Sequence, residues 1–191
     1  GFETPHAMLF IGGKPLMQYH IEYMRDIGIK ELLVLVKYKK DEIIKYFGDG
    51  QNFGVDIRYV EQTSNLGIAH AVGQLEPYID KPFILILSDI FFISKNFGLM
   101  IETASNKNAS VVLAAKKTED QHFNEMHFGI VLHYSKMVKR VVEKPKYFLT
   151  PLKGCGIYYF DTVIFDAIRR TPRTAIRDKY EITDSIQILI D

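Results

Sequence analysis

The stretch Ile57–Asp89, IRYVEQTSNLGIAHAVGQLEPYIDKPFILILSD, decides how this chain is read. Ile57–Val60 alternates weakly, and Phe83–Leu87 is continuously apolar, the pattern of a central strand covered on both faces. Between them, Gln62-Thr63-Ser64-Asn65-Leu66-Gly67 is too polar for a core and places a glycine just before a helical pattern. In open α/β sheets ligands sit outside the carboxyl ends of the strands. The Gln62–Gly67 loop and Asp89, the lone carboxylate where the apolar strand stops, both belong to that edge.

Upstream of this stretch, Gly1–Gly13 reads as a loop with a short apolar piece, and Lys14-Pro15 opens a helix. Leu16, Met17, His20, Ile21, Met24 and Ile27 recur at helical spacing up to Gly28. Glu31–Val36 is a buried strand and Asp41–Phe47 a short helix, so helix and strand alternate as in a parallel sheet built by right-handed crossovers. Downstream the texture changes. Phe97–Ser105 reads as helix, Ser110–Ala115 as strand and Lys116–Glu125 as a charged loop. Phe128–His133, Met137–Glu143 and Gly154–Phe160 read as strands joined by turns, richer in antiparallel pairing. Thr162–Arg170 and Ile182–Ile190 are helices, separated by the break at Thr171-Pro172-Arg173. There is no internal repeat, low-complexity tract or linker.

A chain of 191 residues, 47% hydrophobic and 25% charged, is one soluble globular domain's worth. Its formal net charge of +1 gives no reason to expect a nucleic acid or an acidic membrane surface as partner. A single cysteine, Cys155, excludes an internal disulfide framework, and no apolar run approaches the roughly 20 residues of a membrane span. The cytoplasm is the expected compartment. Cys155, between glycines, reads as a small packed residue. His20 and His70 read as satisfied or exposed helical histidines. His122, His127 and His133 lack zinc-ligand spacing, and Lys37-Tyr38-Lys39-Lys40 reads as a solvated turn.

Several short motifs stand in one order along almost the whole chain. They are Lys14-Pro15-Leu16 after a double glycine, Tyr46-Phe47-Gly48-Asp49-Gly50, Phe53-Gly54-Val55, Glu61-Gln62, Leu66-Gly67-Ile68-Ala69-His70-Ala71 and the strand-ending Asp89. Phe128-Gly129-Ile130-Val131, Val142-Glu143-Lys144-Pro145, Gly156-Ile157-Tyr158-Tyr159-Phe160 and Glu181-Ile182-Thr183-Asp184 follow. Each alone is a weak signal; their joint order resembles the sugar-1-phosphate nucleotidylyltransferases, most of all the glucose-1-phosphate thymidylyltransferase-like members.

That resemblance implies an α/β fold with a Rossmann-like, mixed and mostly parallel sheet between helices on both faces, as in nucleotide-diphospho-sugar transferases. It also implies a reaction: a nucleoside triphosphate (dTTP or UTP) and a sugar 1-phosphate (glucose 1-phosphate) give a nucleotide sugar and pyrophosphate. Asp89 matches a catalytic metal-binding aspartate, a hard oxygen ligand suited to Mg²⁺; such a carboxylate is also a common strand-end cap. Gln62 matches the amide that reads the base edge, and Gly67 the glycine that lets the base approach the backbone. Read without the resemblance, the two make a polar loop with a helix-starting glycine. Gly129 matches a glycine beside the sugar hydroxyls, although a β-bulge would also use one. Glu143 and Lys144 match the pair that holds the sugar and its phosphate; a Glu-Lys pair before a proline is otherwise a solvated strand end. Tyr158 and Glu181 fall in matched segments, Tyr158 on the sugar-phosphate side.

Where the chain departs from the family, it does so at phosphate and metal handling. The resemblance places a first central strand and a glycine-rich, arginine-bearing loop ahead of Gly1, and a second metal-binding aspartate beyond Asp191. Pro5-His6 stands where the family has Pro-Lys, and Ser88 where it usually has glycine. Residues 1–191 are therefore expected to form a single nucleotidylyltransferase-like domain, incomplete at both ends, with the first central strand outside them. A non-catalytic nucleotide-sugar-binding sensor or partner subunit of the same fold is the alternative. A homo-oligomer stays open.

Overall fold

The computed structural model describes residues 4–118, 120, 127–175 and 177–191. In chain order its elements are β1 (Phe10–Ile11), β2 (Lys14–Pro15), α1 (Leu16–Asp26), β3 (Glu31–Val36), α2 (Lys40–Phe47), β4 (Asp56–Glu61), α3 (Ile68–Gly73), β5 (Phe83–Ile86), α4 (Leu99–Lys107), β6 (Val111–Lys117), β7 (Gly129–Leu132), β8 (Val138–Val142), β9 (Leu152–Phe160), α5 (Val163–Arg170) and α6 (Ile182–Ile190). Two compact units gather these residues: Gly1–Ser64 with Ile86–Leu99, and Asn65–Leu85 with Met100–Asp191.

In the first unit, β3 and β4 pair in parallel from Glu31↔Asp56 to Val36↔Glu61. The apolar stripe of α1 buries Leu16, Met17, Ile21 and Met24, of which Met17, Ile21 and Met24 recur at steps of four and three, as one helical face requires. Met17 and Ile21 join Val36, Ile43, Phe47 and Val55 in one core. The expected helix start at Lys14-Pro15 shifts. Pro15 has extended backbone, Pro15 and Lys14 pair with Phe10 and Ile11, and the Leu16 N–H donates to the Leu9 carbonyl at 2.8 Å. A proline has no N–H to lose at a helix entrance, so it closes the small β1–β2 hairpin and caps α1 at once. The segment after β5 is fastened to α1 by aromatic side chains. Phe92 stacks on Tyr23 at 4.8 Å and on His20 at 5.8 Å, and Phe97 lies 5.3 Å from Tyr23.

The second unit is organised by β9. It pairs antiparallel with β6 from Val111↔Phe160 to Lys117↔Leu152, with β7 at Gly129↔Lys153, and also with β5. Strand β8 extends the sheet antiparallel to β7. On one face Phe128 stacks on Tyr158 at 6.1 Å, Tyr158 on Phe160 at 5.3 Å, and Phe83 reaches both Phe160 and Phe165 of α5. Phe160, Ile164 and Ala167 are fully buried, and each large apolar side chain so buried contributes about 1.5–3 kcal/mol. Helix α6 packs beside β8, where Gln187 Oε1 accepts the Val141 N–H at 3.1 Å, and it is tied to Thr171 by the Ser185 hydroxyl at 2.7 Å.

The mixed α/β class matches the expectation, and the described strands are distributed over more than one sheet. Among the described residues the strands form three sheets, β1–β2, β3–β4 and the five strands around β9, and no strand pairs with both β4 and β5. Of the pairs with an assigned register only β3–β4 is parallel. The reason lies in the connections. Residues 127–160 contain no helix, and strands joined without a crossover helix return antiparallel. Two boundaries also move: β6 runs on through Lys117, so Lys116 and Lys117 are strand and not loop, and β9 begins at Leu152, taking in Lys153. His122 and much of the charged loop lie outside the described residues.

Candidate functional site

In the first unit, β4 ends at Glu61 and delivers Gln62, whose N–H donates to the Val36 carbonyl at 2.7 Å. The Gln62 amide turns back on its own loop and donates to the Ser64 carbonyl at 2.8 Å. Asp89 stands exposed in the turn after β5. The residue after it is held firmly. His20, buried on α1, donates from Nε2 to the Ile90 carbonyl at 2.7 Å. Burial pushes the His20 pKa down, against weaker upward pulls from that carbonyl and from Asp89, so the ring is the neutral tautomer with its proton on Nε2. His20 is thus a satisfied helical histidine that fixes the turn carrying Asp89.

Gly67, in the second unit, starts α3 with φ +106°, a conformation that L side chains rarely adopt. A Cβ there would run into the Tyr180 backbone, with Tyr180 N only 2.8 Å away. The two segments are laced together: the Tyr180 N–H donates to the Leu66 carbonyl at 2.8 Å, the Ala69 N–H to the Tyr180 carbonyl at 3.1 Å, and Lys179 Nζ to the Asn65 carbonyl. His70 stacks on the Tyr180 ring at 6.3 Å and its Nδ1 meets the Gln74 amide at 3.2 Å. The glycine therefore has a protein neighbour that demands it, whatever ligand approaches.

Gly129, Glu143 and Lys144 come together. Gly129 is directly paired with Val142, the residue before Glu143, and a Cβ on Gly129 would lie 3.7 Å from Pro145 and 3.1 Å from Thr150. Glu143 is held at both oxygens: Oε1 accepts from Arg177 Nη1 at 3.2 Å and Oε2 from the Thr183 hydroxyl at 3.0 Å. Arg177 also reaches Glu181 at 3.4 Å. Burial first, then Glu181, pushes the Asp184 carboxyl up, with Arg177 opposing. Lys144 is exposed with φ +41°, in a left-handed turn that sets its side chain apart from the strand before Pro145. Tyr158 does not join this group. It is 2% exposed and stacked between Phe128 and Phe160, on the sheet face that packs toward α5.

Arg177 and Lys153 escaped the sequence reading, as did the role of Thr183 within its motif. Arg177 and Thr183 reach Glu143 across 34 and 40 residues of chain, so no local pattern announces them, although Arg177 and Glu181 have the i,i+4 spacing of an ion pair. Lys153 is fully buried, its Nζ has no hydrogen-bond partner among the described residues, and burial pushes its pKa down. Extending the strand two residues upstream of Gly154 would have exposed the anomaly of a lysine inside it. Among the described residues no group of three His, Cys, Asp or Glu side chains could hold a metal ion. Cys155 is a half-buried free thiol whose pKa burial pushes up, and His127 meets the Gly154 carbonyl at 3.1 Å. No helix among the described residues is long and apolar enough to cross a membrane.

The chain is 29% identical over 188 residues to the UTP–glucose-1-phosphate uridylyltransferase AglF of Haloferax volcanii, covering 98% of this chain and 76% of that protein. It is 30% identical over 186 residues to a glucose-1-phosphate thymidylyltransferase of Streptomyces antibioticus, covering 96% of this chain and 51% of that protein. The fold is similar to that of a UDP-glucose pyrophosphorylase solved with UDP-glucose, with a TM-score of 0.86 at 22% identity over 97% of this chain and 78% of that one. Against most of the curated relatives it matches, the chain spans about half of their length. The nucleotidyl transferase family model matches residues 2–191, and the chain belongs to that family.

Proposed function

We propose that the protein transfers a nucleotidyl group from a nucleoside triphosphate, dTTP or UTP, to a sugar 1-phosphate, with glucose 1-phosphate the first candidate. The observation that carries this reading is the family match along nearly the whole chain, with relatives named for both the uridylyl and the thymidylyl reaction. A phosphate oxygen of the sugar 1-phosphate attacks the α-phosphorus, a new P–O bond forms, and the bond to the β-phosphate oxygen breaks to release pyrophosphate. Two anions must be brought together, so positioning and charge compensation are what the protein has to supply.

The residues divide that work. Gln62 offers an amide to the base edge, and Gly67 is the glycine at which we expect the base to approach the backbone. Glu143, oriented by Arg177 and Thr183, retains lone pairs for sugar hydroxyls. Lys144 supplies an ammonium point charge for the sugar phosphate, and Gly129 is the glycine we assign beside the sugar hydroxyls. Tyr158 acts from behind, by holding the strand on which the site is built. Asp89, an exposed carboxylate on a secured turn, fits one protein ligand of a Mg²⁺ ion, which commonly takes one or two carboxylates and fills its shell with water and substrate phosphates. The ion, when bound, would neutralise charge on the phosphates. We place the reaction in the cytoplasm.

Pyrophosphate release measured with dTTP or UTP, glucose 1-phosphate and Mg²⁺ tests the proposal in the full-length protein. Turnover is expected. Binding of dTDP-glucose or UDP-glucose without turnover would replace it by a non-catalytic nucleotide-sugar binder.

A further inference from the structure

Lys153 is the one side chain whose buried nitrogen is left without a hydrogen-bond partner among the described residues. It sits in β9 directly opposite Lys116 of β6 on one side and Gly129 of β7 on the other. Directly paired residues of antiparallel strands share a face, so the two lysines lie side by side on the face opposite to Gly154, Phe128 and Tyr158. A desolvated ammonium with no acceptor is costly. Arg140, opposite Val131 and two residues from Val142, adds a third cation to that face. The space beside Gly129 is where Lys153 Nζ is found: a Cβ there would be 3.8 Å from it.

The aromatic neighbour of the ammonium is Phe148. The Phe148 ring centroid lies 5.6 Å from Nζ, and that ring is itself 50% exposed. Its π face offers the cation a weak negative potential, a poor replacement for an anion. The covering segment Pro145–Thr150 is otherwise anchored at its far end, where the Thr150 hydroxyl donates to the Ile130 carbonyl at 2.8 Å.

We infer that Lys153, flanked by Lys116 and Gly129, is the centre of a phosphoryl-anion site on this face of the sheet, occupied in the ligand-free chain by the Phe148 ring. The anion completes the buried charge and displaces the ring. Its source is either free inorganic phosphate or the phosphoryl group of a sugar 1-phosphate. Because the covering segment begins next to Glu143 and Lys144, an anion here would order the loop that carries them. The site itself does not depend on the proposed reaction.

The test is thermal unfolding of the full-length protein and its Lys153→Met variant, titrated separately with inorganic phosphate and with glucose 1-phosphate at constant ionic strength. Without ligand, Lys153→Met is expected to melt about 3 °C or more above the parent, since an uncompensated buried charge is removed. Phosphate should raise the parent's Tm and leave the variant's unchanged. A response to both ligands that is lost in Lys153→Met assigns free phosphate as sufficient, and a response so lost for glucose 1-phosphate alone assigns the substrate's phosphoryl group. Equal responses of parent and variant, or a lower Tm for the variant without ligand, would overturn the site. Should Lys153→Met fail to fold, the exposed Lys116→Met replaces it: a phosphate affinity weakened about threefold or more supports the site, and an unchanged one refutes it. Absence of turnover in the pyrophosphate assay would leave these outcomes intact.

Discussion

Asp89 and Glu143 are both carboxylates that follow a strand, and the molecule treats them in opposite ways. Glu143 has each oxygen tied, to Arg177 and to Thr183, so its direction is set before any ligand arrives. Asp89 is exposed, and what is fixed is the peptide beside it, through His20 and the Ile90 carbonyl. The difference suits the two tasks proposed for them. A group that orients hydroxyls gains from being pre-organised, because the ordering entropy is already spent in folding. A carboxylate that meets a hydrated cation keeps its lone pairs outward and needs only a steady platform.

The sharpest way to break the contrast is Asp89→Asn. It should lower kcat about 10²- to 10³-fold, the scale of removing one electrostatic group from a transition state, without shifting Tm. A kcat within about threefold of the parent would remove Asp89 from the chemistry. Next in size is Lys144→Ala. Calorimetry should show sugar 1-phosphate binding weakened about 30-fold, equivalent to a lost charge-assisted hydrogen bond, and nucleotide binding nearly intact; equal loss of both would refute the division of labour.

Arg177→Met tests the anchoring of Glu143 directly. Freed on one side, Glu143 should bind the sugar about tenfold more weakly, with KM raised more than kcat is lowered. An unchanged KM would show that the Thr183 bond suffices.

The smallest expected effect concerns the platform under Asp89. His20 is held below its ordinary pKa chiefly by burial, so the unfolded chain takes up its proton near pH 6.5 while the folded chain resists. Between the lowered folded value and pH 6.5 the unfolded state binds more protons, and stability falls as the pH falls through that window. The loss should be seen as a Tm decline below pH 6.5 that is shallower in His20→Gln. An equal decline in both proteins would place the acid sensitivity elsewhere.

Much of this was open to reading in the chain itself, for reasons that are local. Alternation and apolar runs located β3, β4, β5 and α6 to within a residue or two, since burial on one or two faces leaves its period in the sequence. The ordered motifs led to the family, and they contain Asp89, Glu143 and Lys144. Short-range signals failed at junctions. Lys14-Pro15 resembles a helix entrance yet also closes a hairpin, because pairing with Phe10 and Ile11 is invisible to helical periodicity. Lys116 and Lys153 have charged side chains that argue for loop, but backbone pairing to β9 neighbours overrides that preference.

By itself, then, the sequence determined the alternation of elements, the family and the positions at which chemistry is expected, all of which depend on residues close together in the chain. Only the tertiary structure decided that Glu143 is oriented by Arg177 and Thr183, that the Gly67 turn is shaped by Tyr180, that Tyr158 is packing, and that Lys153 is buried without an acceptor. Each of these rests on contacts between distant segments, and such contacts form only when the sheet brings the strands side by side.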